Sequence, residues 1–212
     1  GLAHFLYETV RQKQNYKESK MKKYLIPFIV MLPVGILAYM YSLTSFVLLG
    51  VIVLGVLVLL VVGMIRTFRN SLSPRWLRVP VTVIAVCLTG VMVGLLRPLE
   101  QATVNSGSVS DKLAYAYKTD QADRMTVGAY LGVFGDNLAK RDSIRLKQVS
   151  QLYMEKQISL PMDKFYAAFI FHHSKRSGLF EIAQKLAGEA ASVSELKDSY
   201  VVQWLAKATY DR

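Results

Sequence analysis

Charge is absent from three long stretches of this 212-residue chain, and cysteine is almost absent. Residues 24–43, 45–65 and 79–96 contain no Asp, Glu, Lys or Arg. The missing charges argue against ion channels, proton pumps and charge-relay transporters, which need ionisable groups within the membrane. The single cysteine, Cys87, lies in the third stretch, so the chain can form no intrachain disulfide and cysteine does not identify a redox compartment.

Recognisable catalytic and cofactor motifs are also missing. The chain has no G-x-S-x-G, no Gly-rich phosphate loop and no paired-carboxylate motif. The adjacent His172 and His173 lack the H-x-x-x-H spacing of a zinc site, and no cysteines accompany them. The sequence therefore predicts no cofactor and no metal. It leaves enzymatic activity uncertain and favours a non-enzymatic protein.

The three uncharged stretches are apolar, and each is long enough to cross a bilayer as a helix of about 20 residues. They predict a membrane region at residues 24–97, with the first two spans joined by a tight connection near residues 43–45. In the third span, Gly90 and Gly94 form a G-x-x-x-G pattern that lets helix backbones approach closely in lipid. These glycines either pack against another helix or reflect only the frequency of Gly in membrane helices.

Most of the net charge of +11 lies beside the apolar stretches. Residues 1–23 are basic, residues 66–78 contain four arginines and no acid, and residues 98–212 are nearly balanced. Because Lys and Arg mark the cytoplasmic side, both basic segments are predicted in the cytoplasm of a bacterium. The C-terminal region then lies beyond the inner membrane, in the periplasm or outside the cell. The lipid bilayer is a predicted partner, whereas nucleic acid is not, because the balanced region offers no basic face.

Two interpretations of the N-terminus stay open. Residues 21–38 resemble a secretory signal, with a basic start before an apolar stretch, so Met21 is a possible natural start with residues 1–20 as an extension. Alternatively, residues 1–23 are a native cytoplasmic segment. A second apolar stretch follows almost at once, which argues against cleavage.

The remainder predicts a polar linker at residues 98–110 and an all-α domain at residues 111–212. The domain has about five helices, and the last three resemble stacked helical hairpins. Ser110 is predicted to cap the first of them. In a long helix that begins at Asp136, Ile144 is expected on the buried side.

A few polar side chains of this domain could form a site. Asp120 and Arg124 are four residues apart with the acid first, which favours an ion pair along one helix. Asp142 and Arg145 are most simply a surface pair. His172 lies on an apolar stripe, so a core position is its simplest interpretation, and the next residue lies about 100° around the helix. The candidates for a shared polar pocket are Asp120, Gln121, Arg124, His172, His173, Asp211 and Arg212.

Several of these residues fall in short motifs: Asp120-Gln-Ala-Asp-Arg124, Ala167-Ala-Phe-Ile-Phe-His-His173 and Trp204-Leu-Ala-Lys-Ala-Thr-Tyr-Asp-Arg212. In this order they resemble an uncharacterised bacterial all-helical domain family of unknown function, over residues 112–212. The resemblance implies a helical fold and no established reaction. The family usually has Gly where Ser174 stands, and it continues past the Asp-Arg pair into a Gly-Thr-Gln segment. This chain stops at Arg212, so the resemblance implies either a truncated terminus or the loss of that element.

Two functions compete at this point. The favoured one is a membrane-anchored accessory or scaffold subunit of a bacterial membrane complex, which docks a protein partner through its helical domain. The alternative is a membrane-tethered enzyme or ligand-binding sensor, in which Asp120, Arg124, His172 and Asp211 converge into one pocket. A histidine near a carboxylate could then act as a general base. The sequence identifies neither the partner complex nor the oligomeric state.

Overall fold

A computed structural model of the chain describes residues 2–69, 73, 75–133, 135–174 and 176–211. Across these ranges the regular structure is helical throughout, without a strand. The all-α prediction is therefore confirmed for the described part of the chain. The chain divides into two compact units, Gly1–Arg97 and Pro98–Arg212.

The first unit contains three long helices: α1 (Leu2–Met40), α2 (Ser42–Arg69) and α3 (Arg75–Leu95). The basic N-terminal segment and the first apolar stretch belong to one continuous helix, α1. Because α2 extends to Arg69 and α3 begins at Arg75, the loop predicted at residues 66–78 is shorter than expected. Positions 70–72 and 74 of that loop lie outside the described residues.

Two helical segments of this unit are long and apolar enough to cross a membrane, Ser42–Phe68 and Trp76–Leu95, among the residues that the structure describes. The helix break falls at Tyr41 and cuts the first predicted stretch short. The remaining apolar segment, Leu25–Met40, spans only about 24 Å as a helix, against about 30 Å of hydrocarbon. The part of the chain that the structure describes thus contains two candidate spans, where the sequence predicts three.

In this unit, α3 packs against both α1 and α2, and those two contact each other less extensively. The close approach occurs at Gly90 and Gly94. A Cβ atom at Gly90 would lie 2.6 Å from Leu48 Cδ1 and 2.7 Å from Val34 Cγ1. At Gly94 a Cβ would collide with the side chain of Ser45. Neither position has room for a side chain unless its neighbours move.

The second unit contains the remaining helices. In chain order they are α4 (Val109–Arg124), α5 (Val127–Tyr130), α6 (Gly135–Met154), α7 (Pro161–His172), α8 (Ser177–Ala191), a short 3₁₀ helix (Ser194–Leu196) and α9 (Tyr200–Tyr210). The core forms around α7, which packs against α4, α6, α8 and α9. Phe165 and Phe171 of α7 are almost fully buried, and Leu186 and Leu205 close the core from α8 and α9. The chain neighbours α7, α8 and α9 pack on one another in turn.

Helix α4 begins two residues earlier than predicted. Ser108, not Ser110, is its N-cap, and it forms a capping box with Asp111: Asp111 N donates to Ser108 Oγ at 3.2 Å and Ser108 N donates to Asp111 Oδ2 at 2.9 Å. The Ser110 hydroxyl instead donates to Asp163 of α7 at 2.8 Å. The serine that can make the reciprocal pair with an acid three residues on is the one that caps the helix.

The segment predicted as a linker is held on the surface of the second unit. Thr119 Oγ1 donates to the carbonyl of Ala102 at 2.8 Å, and Gln148 Nε2 donates to that of Val104 at 2.7 Å. Arg141 Nη2 donates to the carbonyl of Glu100 at 2.6 Å. Side chains from α4 and α6 therefore bind alternate carbonyls of residues 100–104, which we call the strap.

Candidate functional site

The polar site of the second unit lies between α4 and α6. Asp120 and Asp123 are three residues apart on α4, and Arg141 and Arg145 are four apart on α6, so each pair lies on one face of its helix. Asp123 Oδ2 accepts hydrogen bonds from Arg145 Nη2 and from Arg141 Nε, the latter at 2.6 Å. The acidic face of α4 and the basic face of α6 therefore pair across the contact between the two helices.

Arg145 is 0% exposed, and its three nitrogens all have partners. Nε donates to Thr119 Oγ1 at 3.1 Å, Nη1 to Asp142 Oδ1 at 3.0 Å and Nη2 to Asp123. A buried charge is tolerated only when it is paired and hydrogen-bonded. The prediction of a surface pair between Asp142 and Arg145 is wrong, because the acids of α4 turn the Arg145 face of α6 inward. Ile144, expected on the buried side, is consequently 44% exposed.

Asp120 is the second centre of the site and is 1% exposed. Arg124 binds it with both sides of its guanidinium group, Nη2 to Oδ1 at 2.9 Å and Nε to Oδ2 at 3.2 Å. Arg124 Nη2 also reaches Asp142 Oδ2 at 3.0 Å, which links the two centres. We call the connected set the Asp–Arg network: Asp120, Asp123, Asp142, Arg124, Arg141 and Arg145.

His173 joins this network at the end of α7. Its Nδ1 lies 2.9 Å from Asp120 Oδ2 and 3.1 Å from Arg124 Nε. The ionised carboxylate is a stronger acceptor than an imidazole nitrogen, so we assign the Arg124 Nε proton to Asp120 and the Nδ1 proton of His173 to the same carboxylate. This tautomer leaves Nε2 as the nitrogen able to accept a proton. A carboxylate on the other ring nitrogen orients histidine bases and ligands in this way.

The pKa values of the paired groups reflect their surroundings. Burial raises the pKa of Asp120, but the hydrogen bonds and charges of His173 and Arg124 lower it more. The pKa of this carboxyl group therefore lies below its usual range. Burial lowers the pKa of Arg124, and the hydrogen bonds and charges of Asp120 and Asp142 outweigh it, so its pKa is raised. Both directions stabilise the charged forms. The Asp120–Arg124 pair is therefore ionised at neutral pH.

A cavity of about 280 Å³ opens beside this network. Leu146 and Ile170 form apolar parts of its wall. Its polar lining consists of Asp120, Asp142, Ser143, Arg145, His173, Ser174 and Arg176. The cavity thus combines a preformed space with charged groups fixed by buried contacts, and it is large enough for a small polar molecule.

The structure brings together four of the seven candidates for the polar pocket. Asp120, Arg124 and His173 contact one another, and Gln121 Nε2 donates to Asp120 Oδ2 at 2.9 Å. The other three candidates are placed as follows: His172 is half-buried and does not line the cavity, Asp211 is exposed at the end of α9, and Arg212 lies outside the described residues. The contact with Asp120 that was expected of His172 is made instead by His173. This happens because α7 ends at His172 and His173 follows as its C-cap.

The sequence interpretation missed Asp123, Arg141 and Thr119, and it misplaced Arg145. A usable signal was present, since the acids of α4 and the arginines of α6 each repeat with the spacing of one helix face. Thr119 gave no such signal, because its role depends on Arg145 and on the Ala102 carbonyl, which are distant in sequence.

Among the described residues, no group of three or more His, Cys, Asp or Glu side chains could hold a metal ion. Comparisons with protein-family models, curated proteins and solved structures found no match to this chain. The resemblance of residues 112–212 to an uncharacterised helical family therefore stays a prediction.

Proposed function

We propose that this chain is a membrane-anchored accessory or scaffold subunit of a bacterial membrane complex, and that its second unit docks a protein partner. The apolar helices of the first unit support the anchor. Large side chains such as Phe28 (73% exposed), Leu60 (64%) and Met92 (61%) point away from the unit, as they do where lipid is the solvent.

In this proposal the chain crosses the inner membrane three times, with its N-terminus in the cytoplasm and residues 98–212 in the periplasm. The short segment Leu25–Met40 makes the first crossing, with local thinning of the bilayer making up the difference in length. A Cys87→Ala chain with one new cysteine, at Lys13 or at Ser106, tests the sidedness. A membrane-impermeant maleimide applied to spheroplasts should label position 106 and not position 13, and the reverse pattern would overturn it.

The observation that carries the docking proposal is an apolar segment on the surface of the second unit. Met125, Tyr130, Leu131 and Val133 fall within nine residues, and each is more than half exposed. Grouped apolar exposure of this kind marks contact surfaces, whereas scattered exposure does not. We call these four residues the apolar segment.

A protein suits the apolar segment better than a lipid surface. Segments that lie on anionic lipid carry Lys or Arg beside their apolar residues. Here the preceding Arg124 is bound by Asp120 and Asp142, and Asp136 is the first charged residue to follow. The segment therefore lacks free cations, and a complementary apolar protein surface is its expected partner.

Leu131→Glu tests this docking, with Leu160→Glu as a matched control. The two leucines are 53% and 55% exposed, and only Leu131 belongs to the apolar segment. After gentle detergent extraction, native mass spectrometry should find a stoichiometric partner with the wild type and with Leu160→Glu, and should find its loss with Leu131→Glu. A solitary wild-type chain, or a complex that survives Leu131→Glu, would refute the proposal.

A second candidate function is a ligand-binding sensor or enzyme in the same unit. The arrangement of His173 favours it, because Asp120 fixes one ring nitrogen while the ring lines a cavity of about 280 Å³. This candidate is compatible with the membrane anchor and does not require the apolar segment.

A further inference from the structure

The cavity beside the Asp–Arg network has an excess of positive charge. The network contains three aspartates and three arginines, so its charges cancel. Its members are joined by hydrogen bonds of 3.0 Å or less, except for the bond from Arg124 Nε to Asp120, which is 3.2 Å long. Arg176 lines the same cavity and pairs with no carboxylate of the described residues. Among the described residues that line the cavity, Arg176 therefore carries the charge that a ligand can still neutralise.

Two hydroxyl groups at the cavity can donate hydrogen bonds. The hydroxyls of Ser143 and Ser174 line it, and Ser174 Oγ accepts from Arg176 N at 3.0 Å, which fixes the chain where α8 begins.

The acids that line the cavity do not oppose an anion there. Asp120 is bound by Arg124, and Asp142 is bound by Arg124 and Arg145. An anion in the cavity meets these carboxylates already paired, and meets Arg176 unpaired.

We propose that this cavity binds a small oxyanion, a carboxylate or a phosphate group, with Arg176 as its charge partner and the hydroxyls of Ser143 and Ser174 as hydrogen-bond donors. A planar guanidinium group suits both anions, since it can donate two parallel hydrogen bonds. The inference rests on the second candidate function, that the unit binds a ligand, and is independent of protein docking at the apolar segment.

The test uses the full chain in nanodiscs of zwitterionic lipid, so that no anionic headgroup competes. Isothermal titration with inorganic phosphate and with acetate should give saturable one-to-one binding for at least one of them. Arg176→Gln should weaken that binding about tenfold or more, because it removes a charge-assisted hydrogen bond. Arg176 is exposed, so this substitution leaves the fold intact. Lys185→Gln removes an exposed cation from α8, the helix that follows Arg176, and should leave binding unchanged.

Titrations with choline and glycerol separate this inference from the function on which it rests. If choline or glycerol saturates the protein while both anions fail, the oxyanion proposal is wrong and ligand binding stands. If no probe binds, both fail. Anion binding that is equally strong in Arg176→Gln, or equally weakened in Lys185→Gln, places the anion elsewhere and also overturns the proposal.

Discussion

The two units of this chain distribute their side chains in opposite ways. In the first unit, small residues such as Ala38 (1% exposed) and Cys87 (5%) lie inside, while Phe28 and Leu60 point outward. In the second unit, phenylalanines and leucines fill the centre, and a set of aspartates and arginines is buried beside them. The apolar outer surface of the first unit suits the proposed contact with lipid, and the apolar interior of the second unit suits folding in water.

The opposite distributions imply different sources of specificity. Helices in lipid gain no hydrophobic energy by associating, so the first unit depends on the close approach that its glycines permit. The second unit gains its apolar burial in water, and its buried charges additionally fix how α4, α6 and α7 meet. Substitutions that add volume should damage the first unit most, and substitutions that remove a partner should damage the second most.

Loss of Arg145 should have the largest effect. Arg145→Met leaves the buried Asp123 and the half-buried Asp142 without their shared cation, so we expect a loss of about 3–5 kcal/mol in the free energy of unfolding of the second unit. Urea denaturation of the full chain in detergent, followed by far-UV circular dichroism, measures it.

Lys118→Met, on α4, provides the contrast. Lys118 pairs with Glu100 at 3.3 Å, but both side chains are more than half exposed. An exposed pair contributes about 0–1 kcal/mol, so this variant should unfold almost as the wild type does. Equal losses from the two variants would show that burial does not set the strength of the network.

Helix content was predictable from the sequence, and burial of the polar residues only in part. Apolar periodicity and length predict the helices of both units, and the spacing of Asp120 and Arg124 predicts their pair. The interior position of Arg145 was not predictable, because a pair three residues apart looks the same on a buried face as on an exposed one. The partner that decides, Asp123, is on another helix.

The number of spans and the identity of the histidine depend on where helices end. No Pro or Gly lies directly beside the helix break at Tyr41. The apolar composition therefore predicts a first span that continues past this residue. The sequence places the His173 side chain about 100° around the helix from His172. Because α7 ends at His172, His173 is no longer part of the helix and its side chain takes another direction. Sequence patterns place helix ends only to within one or two residues. Here the end of α1 affects the predicted number of spans, and the end of α7 affects which histidine reaches the site.

Acid should produce the next effect, smaller than loss of Arg145 because every side chain stays in place. The pKa of Asp120 is lower in the folded chain, so its contribution to stability is complete above the ordinary aspartate pKa of about 3.9 and is lost as pH falls through the folded value. Urea midpoints measured from pH 7 to pH 3 should therefore fall below about pH 4.

Asp120→Asn removes that titration and should flatten part of the acid slope, at the cost of lower stability at neutral pH. Asp198→Asn changes an exposed aspartate beside the 3₁₀ helix and should keep the wild-type slope. An unchanged slope in Asp120→Asn would mean that this carboxyl does not drive the acid response.

In the first unit, Gly90→Leu should separate α3 from its neighbours. The new side chain would collide with Leu48 and Val34, and overpacking of this kind costs about 1–3 kcal/mol. Cys87 reports the change because it is 5% exposed on α3. Its labelling by N-ethylmaleimide in detergent should become roughly tenfold faster or more.

Gly63→Leu is the control for that collision. No atom lies within 4 Å of a Cβ built at Gly63, so leucine there meets open space and the labelling rate of Cys87 should not change. If both variants label at the same rate, helix propensity rather than close approach explains the result for Gly90.

The smallest expected effect concerns the strap. Thr119→Val keeps the shape of the side chain but removes the hydroxyl that binds Arg145 Nε and the Ala102 carbonyl, at a cost of about 1–2 kcal/mol. Because the hydroxyl joins the network to residues 100–104, amide hydrogen exchange should speed up in the strap more than in the middle of α6. Mass spectrometry of peptides from the full chain measures both.

Thr126→Val separates a local loss from a general one. It removes the hydroxyl that caps α5, where Ala129 N donates to Thr126 Oγ1 at 3.2 Å, and Thr126 makes no contact with the strap. The two substitutions are chemically identical and of similar expected cost. Faster strap exchange in Thr119→Val alone would show that the Thr119 hydroxyl, which connects Arg145 to the Ala102 carbonyl, holds the strap in place. Equal exchange in both would show that any comparable loss of stability loosens the strap.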